Sequence, residues 1–153
     1  MLTMAKTEIT KVLELALQKQ SREMRIFGAL EVTIGWYGNE RVDYLTLDYK
    51  GIWRCYEIKV SKADFYSKAK KTFVGHLNYY VMPEELFNIV KKDIPKHIGV
   101  KTFSHWDSRC LKCIKTAKKQ EVDTAMEQTL YSSLIRCLVR DRDKLADKIN
   151  GGA

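Results

Sequence analysis

Two charged side chains, Glu57 and Lys59, interrupt the otherwise apolar stretch CYEIKVSK at residues 55–62. The stretch is typical of a strand, and alternate side chains of a strand point the same way. Glu57 and Lys59 therefore share one face. Carboxylate oxygens are the ligands that Mg²⁺ and Mn²⁺ prefer, and an ammonium group adds positive charge beside such a cation.

A second carboxylate comes from the preceding strand through the hairpin turn DYKG. A three-residue loop at 49–51, with Gly51 in the left-handed position, pairs Asp48 with Ile52 and hence Asp43 with Glu57. Directly opposed Cβ atoms lie roughly 4.5–5.5 Å apart, so two carboxylates there repel unless a cation lies between them. The alternative is a solvated edge ladder whose charges face water.

The hydrophobic pattern predicts the elements that must position these groups. Helices are expected at 7–19, 62–72, 84–92 and 123–149, and strands at 29–36, 42–49, 52–60, 77–82 and 98–103. Residues 104–120 fit either a strand or the start of a helix. The order predicts a single α/β domain over 1–153, with a core at about 7–103 and a C-terminal helical extension at about 121–149. Its mixed central sheet, an antiparallel meander plus a parallel strand, is flanked by helices. Strand 52–60 is then central, where two charges need a purpose.

Composition limits the class of protein. The chain has 153 residues with 27 Lys and Arg against 19 Asp and Glu, a net charge of +8. Such an excess favours a nucleic-acid partner, although a merely soluble basic protein has the same balance. Because no apolar run approaches a membrane span and the N-terminus lacks a signal-peptide core, we expect a cytoplasmic protein with no membrane partner.

The four cysteines are too few for a disulfide scaffold. Cys110 and Cys113 have C-x-x-C spacing and follow His105, but a zinc site would need a fourth ligand. The role of this pair stays open.

Several segments together resemble the PD-(D/E)XK nuclease superfamily: VDYLTL at 42–47, the hairpin, EIKVSKADF at 57–65, NYYVMPEEL at 78–86 and IPKHIGV at 94–100. The E-x-K motif is Glu57-Ile58-Lys59, with Asp43 upstream. The run is similar to MmcB-like DNA repair proteins and related phage-encoded proteins, over residues 29–103. Val42 stands where the family often has Pro. The resemblance implies a restriction-endonuclease-like fold in a bacterial or phage-infected cell.

The resemblance also implies an activity, the Mg²⁺-dependent (or Mn²⁺-dependent) hydrolysis of phosphodiester bonds in DNA during repair, recombination or phage and mobile-element metabolism. It makes Asp43, Glu57 and the Ile58 carbonyl the metal ligands and Lys59 the group that orients water or stabilises negative charge. Many members add a glutamate from the first helix. Here Glu8 is preferred over Glu14 because it lies nearer the helix start.

Polar residues around the motif are candidates for contact with nucleic acid, or for ordinary surface and structural positions. They are Lys62, Lys68, Lys70, Lys71, Arg41, His76 and Asn78. Two other functions stay open: a DNA-binding accessory protein with a nuclease fold that does not cut, and an interaction protein that forms a homodimer through the C-terminal helix. The sequence leaves DNA versus RNA, and endo versus exo action, undecided.

Overall fold

In the part of the chain that the structure describes, six strands form one mixed sheet in which spatial order follows chain order. The computed structural model describes residues 6–68, 71–104 and 107–151. The strands are β1 (Phe27–Thr33), β2 (Arg41–Leu47), β3 (Trp53–Ile58), β4 (Leu77–Val81), β5 (Gly99–Ser104) and β6 (Asp107–Lys115). The first three are antiparallel neighbours, β3–β4 and β4–β5 are parallel, and β6 returns antiparallel to β5. The predicted α/β fold with a mixed sheet is confirmed, and the segment left open at 104–120 contributes the sixth strand.

Helices cover both faces of the sheet. They are α1 (Lys6–Glu23), α2 (Lys62–Phe65), α3 (Glu84–Val90) and α4 (Thr124–Gly151), with a short 3₁₀ turn at Lys91–Asp93. Helix α1 buries Leu13 and Leu17 against Tyr44 and Tyr56 on one face. The opposite face has two apolar clusters, one under α4 and one under α3, and partly buried Phe73 packs against both. None of the helices in the described residues combines the length and apolarity needed to cross a bilayer.

Only the first half of α4 is seated on the sheet. Its buried residues end at Cys137, while the helix continues to Gly151 and has 28 residues, about 42 Å at the usual rise. A second set of apolar side chains, which we call the α4 stripe, is exposed along another side of the helix. It consists of Tyr131, Ile135, Leu138, Leu145 and Ile149. Their spacing of three, four or seven residues is that of a coiled-coil seam.

The helix expected at 62–72 is wrong in length, because α2 ends at Phe65. Its start is as predicted: Ser61 caps it, since the Ser61 hydroxyl accepts the Asp64 N–H at 3.1 Å. The Ser67 hydroxyl donates to the Asp64 carbonyl at 2.8 Å and so occupies an acceptor that a longer helix would use. The lysine-rich sequence favours a helix, but the chain beyond α2 instead runs back to the sheet and brings Thr72 to Glu57.

Candidate active site

Strand register sets three acidic residues at neighbouring positions of β1, β2 and β3. Between β2 and β3, Tyr44 pairs with Tyr56, so the next step along both strands sets Asp43 beside Glu57. The β1–β2 register, continued between its Leu30 and Val32 pairs, sets Glu31 level with Asp43. The hairpin count made from the sequence therefore agrees with the observed register, and Glu31 is an addition that the sequence did not suggest.

Asp43 ends the ladder between β2 and β3. Its Oδ2 accepts the Ile58 N–H at 2.8 Å, so a side chain takes the place of a backbone partner. The N–H and C=O of one strand residue point to the same side. The Ile58 carbonyl is therefore directed to the Asp43 side of β3, and Ile58 lines the same cavity as Asp43.

Asp43 and Glu57 lie at opposed register positions of β2 and β3, and each side chain affects the pKa of the other. Glu57 is only 3% exposed, and its Oε1 also accepts the Thr72 N–H at 3.3 Å. Burial, and next the negative charge of Asp43, raise the pKa of Glu57 to about 8. Burial likewise raises the pKa of Asp43, against the lowering effects of the Ile58 N–H and Lys59. Near neutral pH the pair therefore retains a proton, and a cation in its place would relieve the same repulsion.

Lys59 completes the E-x-K motif from inside the protein. Lys59 is 6% exposed, and its Nζ lies 3.9 Å from Asp64 Oδ1. Asp64 is held in the first turn of α2, where its Oδ2 also accepts the Val60 N–H at 3.2 Å. Lys59 also lines the cavity, and its ammonium group has three N–H donors.

These groups line a cavity of about 590 Å³ at the carboxyl end of β3. Its lining residues come from α1, the first three strands, the loop before β2 and the start of α2. They are Thr10, Glu14, Glu31, Thr33, Gly38, Asn39, Glu40, Arg41, Asp43, Glu57, Ile58, Lys59 and Asp64. The lining has six carboxyl side chains and two cationic ones. An acidic cavity in a chain of net charge +8 is therefore a local feature, which attracts cations and repels an uncompensated phosphate.

The glutamate that α1 brings to the cavity is Glu14, and the preference for Glu8 is wrong. Glu14 follows Thr10 by four residues, so both lie on one helix face, and both line the cavity. Glu8 is exposed and lies outside that lining. Burial raises the pKa of Glu14, as do the neighbouring charges of Glu31 and Asp43.

Among the residues expected to contact nucleic acid, Arg41 lines the cavity, whereas His76 and Asn78 lie at the opposite end of the sheet. His76 Nδ1 accepts the Trp53 N–H at 3.0 Å, where β3 begins. Asn78 is 1% exposed, and its amide is bonded to the N–H and C=O of Gly75. The prediction of phosphate contact is therefore wrong for Asn78, because its side-chain amide is hydrogen-bonded to the Gly75 backbone. The His76 ring is hydrogen-bonded to the backbone of β3.

The lysines after the motif do not share one helix face, and they differ in their surroundings. Lys62 and Lys68 are exposed. Lys71 lies over the rings of Phe65 and Tyr80, with its Nζ 4.8 Å and 5.9 Å from their centroids. Burial and then the charge of Lys59 lower the pKa of Lys71, which places it near the motif lysine. Lys70 lies outside the described residues.

The donor set around Asp43 and Glu57 fits a hard divalent cation, because it consists of carboxylate and carbonyl oxygens. Within residues 6–68, 71–104 and 107–151, no three His, Cys, Asp or Glu side chains form a group that could hold a metal ion. A cation here would thus depend on the Asp43–Glu57 pair, the Ile58 carbonyl and water. Cys113 is a free, exposed thiol, and the side chain of Cys110 lies outside the described part of the chain.

Comparison with known proteins supports the fold alone. Neither a protein-family model nor a curated protein matches the sequence. Among solved structures, the chain is similar to the SPO1766 protein of unknown function from Silicibacter pomeroyi, with a TM-score of 0.71 and 19% identity. The match covers 88% of this chain and 89% of that one. The two proteins therefore share one architecture over nearly their whole lengths.

Proposed function

We propose that this protein is a metal-dependent nuclease of the PD-(D/E)XK type, which hydrolyses phosphodiester bonds of DNA. One observation carries the proposal: the half-buried Asp43 and the buried Glu57 lie at opposed positions of neighbouring strands, beside a cavity that the buried Lys59 also lines. A buried carboxyl with a second carboxyl next to it, together with a buried ammonium group, reduces the stability of the folded protein. Such an arrangement is typical of a reaction centre rather than of a wet sheet edge.

A divalent cation explains why the carboxyls lie together. Asp43, Glu57 and the Ile58 carbonyl would hold Mg²⁺ or Mn²⁺, and the ion would supply Lewis-acid activation of a phosphate oxygen and a more acidic bound water. Glu14 would accept a hydrogen bond or a proton from water in the cavity. The excess of carboxylates in the lining makes cation binding a precondition for approach of a phosphate.

Lys59 is placed to act on the reacting phosphate. Its ammonium group would donate to the attacking water or to a phosphoryl oxygen on which negative charge develops. The water oxygen would form a new bond to phosphorus while one ester P–O bond breaks. The water would lose one proton to Glu14 or to solvent, and the leaving oxygen would take up one from solvent, which leaves a phosphate monoester and an alcohol. Arg41 lies on the same lining and would contact a neighbouring phosphate of the strand.

The test is cleavage of labelled single-stranded, duplex and branched DNA by the purified chain with Mg²⁺, Mn²⁺ or EDTA. Wild type should cut at least one substrate with metal only, and Lys59→Ala should lower the rate by at least about a hundredfold. Lys144→Ala, which removes an exposed lysine of α4, is the matched control. Cleavage that is equal in wild type and Lys59→Ala, or absent with every substrate, refutes the proposal; binding without cleavage would favour the non-cutting accessory protein.

A further inference from the structure

The loop between β1 and β2 joins the cavity to two exposed aromatic side chains. We call residues 34–40 the aromatic loop. Its Gly38, Asn39 and Glu40 line the cavity, while Trp36 is 73% exposed and Tyr37 is 99% exposed. Large apolar side chains that are kept in water beside a polar cavity are typical of a binding surface.

The aromatic loop is held against α4 by hydrogen bonds. The Gly35 N–H donates to the Ser133 hydroxyl at 2.9 Å, and Arg136 Nη2 donates to the carbonyls of Thr33 and Gly35 at 3.0 Å and 2.7 Å. Gly35 has φ of 77°, a left-handed conformation that glycine adopts without strain. A backbone bond from Ile34 N–H to the Glu40 carbonyl, at 2.9 Å, closes the loop.

The same arginine also positions the indole ring. The guanidinium carbon of Arg136 lies 4.6 Å from the ring centroid of Trp36. One side of the indole is therefore backed by a cation, while most of the ring still faces solvent. This arrangement holds a flat π-surface in place before any partner arrives.

We infer that the aromatic loop is a stacking platform for an unpaired base of the DNA strand that enters the cavity, so that the protein selects single-stranded segments, including those of branched DNA. The inference rests on the proposed function, whose substrate it narrows. Every base has a π-face on which an aromatic side chain can stack, but in a duplex those faces already contact neighbouring bases. Base stacking does not require a positively charged surface. It can therefore contribute binding energy beside a cavity whose carboxylates repel the phosphates of the strand.

The chain offers a matched control for this surface. Tyr49 is 85% exposed and has Lys50 over its ring, with the Lys50 Nζ 5.6 Å from the centroid. It lies at the β2–β3 turn, at the end of β2 away from Asp43. Tyr49→Ala thus removes an exposed, cation-backed aromatic ring that is remote from the cavity.

The experiment measures equilibrium binding by fluorescence anisotropy, with Ca²⁺ in place of Mg²⁺ to suppress cleavage. The probes are labelled oligothymidine, an abasic strand of equal length and a matched duplex. Trp36→Ala and Tyr37→Ala should each weaken oligothymidine binding about tenfold, with little effect on the abasic strand or the duplex. Tyr49→Ala should bind all three probes as wild type does. In a Trp106→Phe background, which keeps Trp36 and the fully buried Trp53, oligothymidine should also quench the tryptophan fluorescence, and the further change Trp36→Ala should abolish that quenching.

The outcomes separate this inference from the function on which it rests. If wild type neither binds nor cuts DNA, the proposed function is refuted and the platform with it. If wild type binds and cuts, but the loop variants match Tyr49→Ala or weaken all three probes equally, only the platform is refuted. Tyr37→Ala guards against misfolding, since a side chain that is 99% exposed contributes no packing.

Discussion

Replacement of Glu57 by glutamine should make the metal-free protein less sensitive to pH. The folded protein raises the pKa of Glu57 from 4.5 to about 8, so the folded state binds this proton more tightly than the unfolded chain does. The linkage relation then makes stability fall as pH rises between those two values, and level off above the higher one. At one pKa unit per 1.36 kcal/mol, wild type should lose about 3 kcal/mol of unfolding free energy between about pH 5 and pH 8.

Glutamine keeps the shape and removes the ionisation. Its amide oxygen can still accept the Thr72 N–H, and its amide group can donate to Asp43, which then keeps a partner while it is charged. Urea titrations in EDTA at both pH values measure the effect. We expect the Glu57→Gln curve to lose much less stability than wild type does and to exceed wild-type stability at the higher pH.

An exposed carboxyl provides the control. Glu84 lies in the first turn of α3 and is exposed, so Glu84→Gln should leave the wild-type pH dependence in place. Parallel losses of stability in wild type and Glu57→Gln would show that Glu57 does not hold the proton, and would remove the physical basis for placing a cation there.

Three further predictions follow from the same structure. Mg²⁺ should raise the melting temperature of wild type more at about pH 8 than at about pH 6, because protons compete for the carboxyl pair, and a shift equal at both values would contradict this. Gly28→Ala should cost about 1–3 kcal/mol in urea unfolding, since the added Cβ would overlap the Tyr44 hydroxyl; wild-type stability would show that the Tyr44 ring can move aside without cost. The α4 stripe should pair two copies of this chain, so Leu145→Glu should reduce the sedimentation-derived mass of concentrated protein while the exposed-site control Lys144→Ala does not; monomeric wild type at every concentration would refute the pairing.

Short-range features of the site could be predicted from the sequence. The three-residue turn at 49–51 fixes the β2–β3 register, and register is what brings Asp43 to Glu57. The N–H of Gly51 donates to the Asp48 carbonyl at 3.0 Å, as expected of such a turn. Local turn geometry was therefore sufficient to predict that Asp43 lies opposite Glu57.

The missed features depend on tertiary structure. Which glutamate of α1 faces the cavity depends on how the helix is rotated on the sheet, and position along the chain says nothing about that rotation. Glu31 has φ of 54°, a conformation that non-glycine residues adopt rarely and that no local pattern announces. The sequence pattern predicts that the first strand continues to residue 36, whereas β1 ends at Thr33 and the loop to β2 begins at residue 34. A register counted from the shorter predicted loop does not pair Glu31 with Asp43.

The attachment of the aromatic loop to α4 has a consequence for the order in which the protein is completed on the ribosome. The carboxylates, the motif lysine and the capped start of α2 all lie at or before residue 64, so the groups that line the cavity are synthesised before α4. Ser133 and Arg136, which fasten the aromatic loop, emerge about 70 residues later. A chain truncated before residue 133 would thus carry the carboxyl groups without the bonds that hold the aromatic loop to α4.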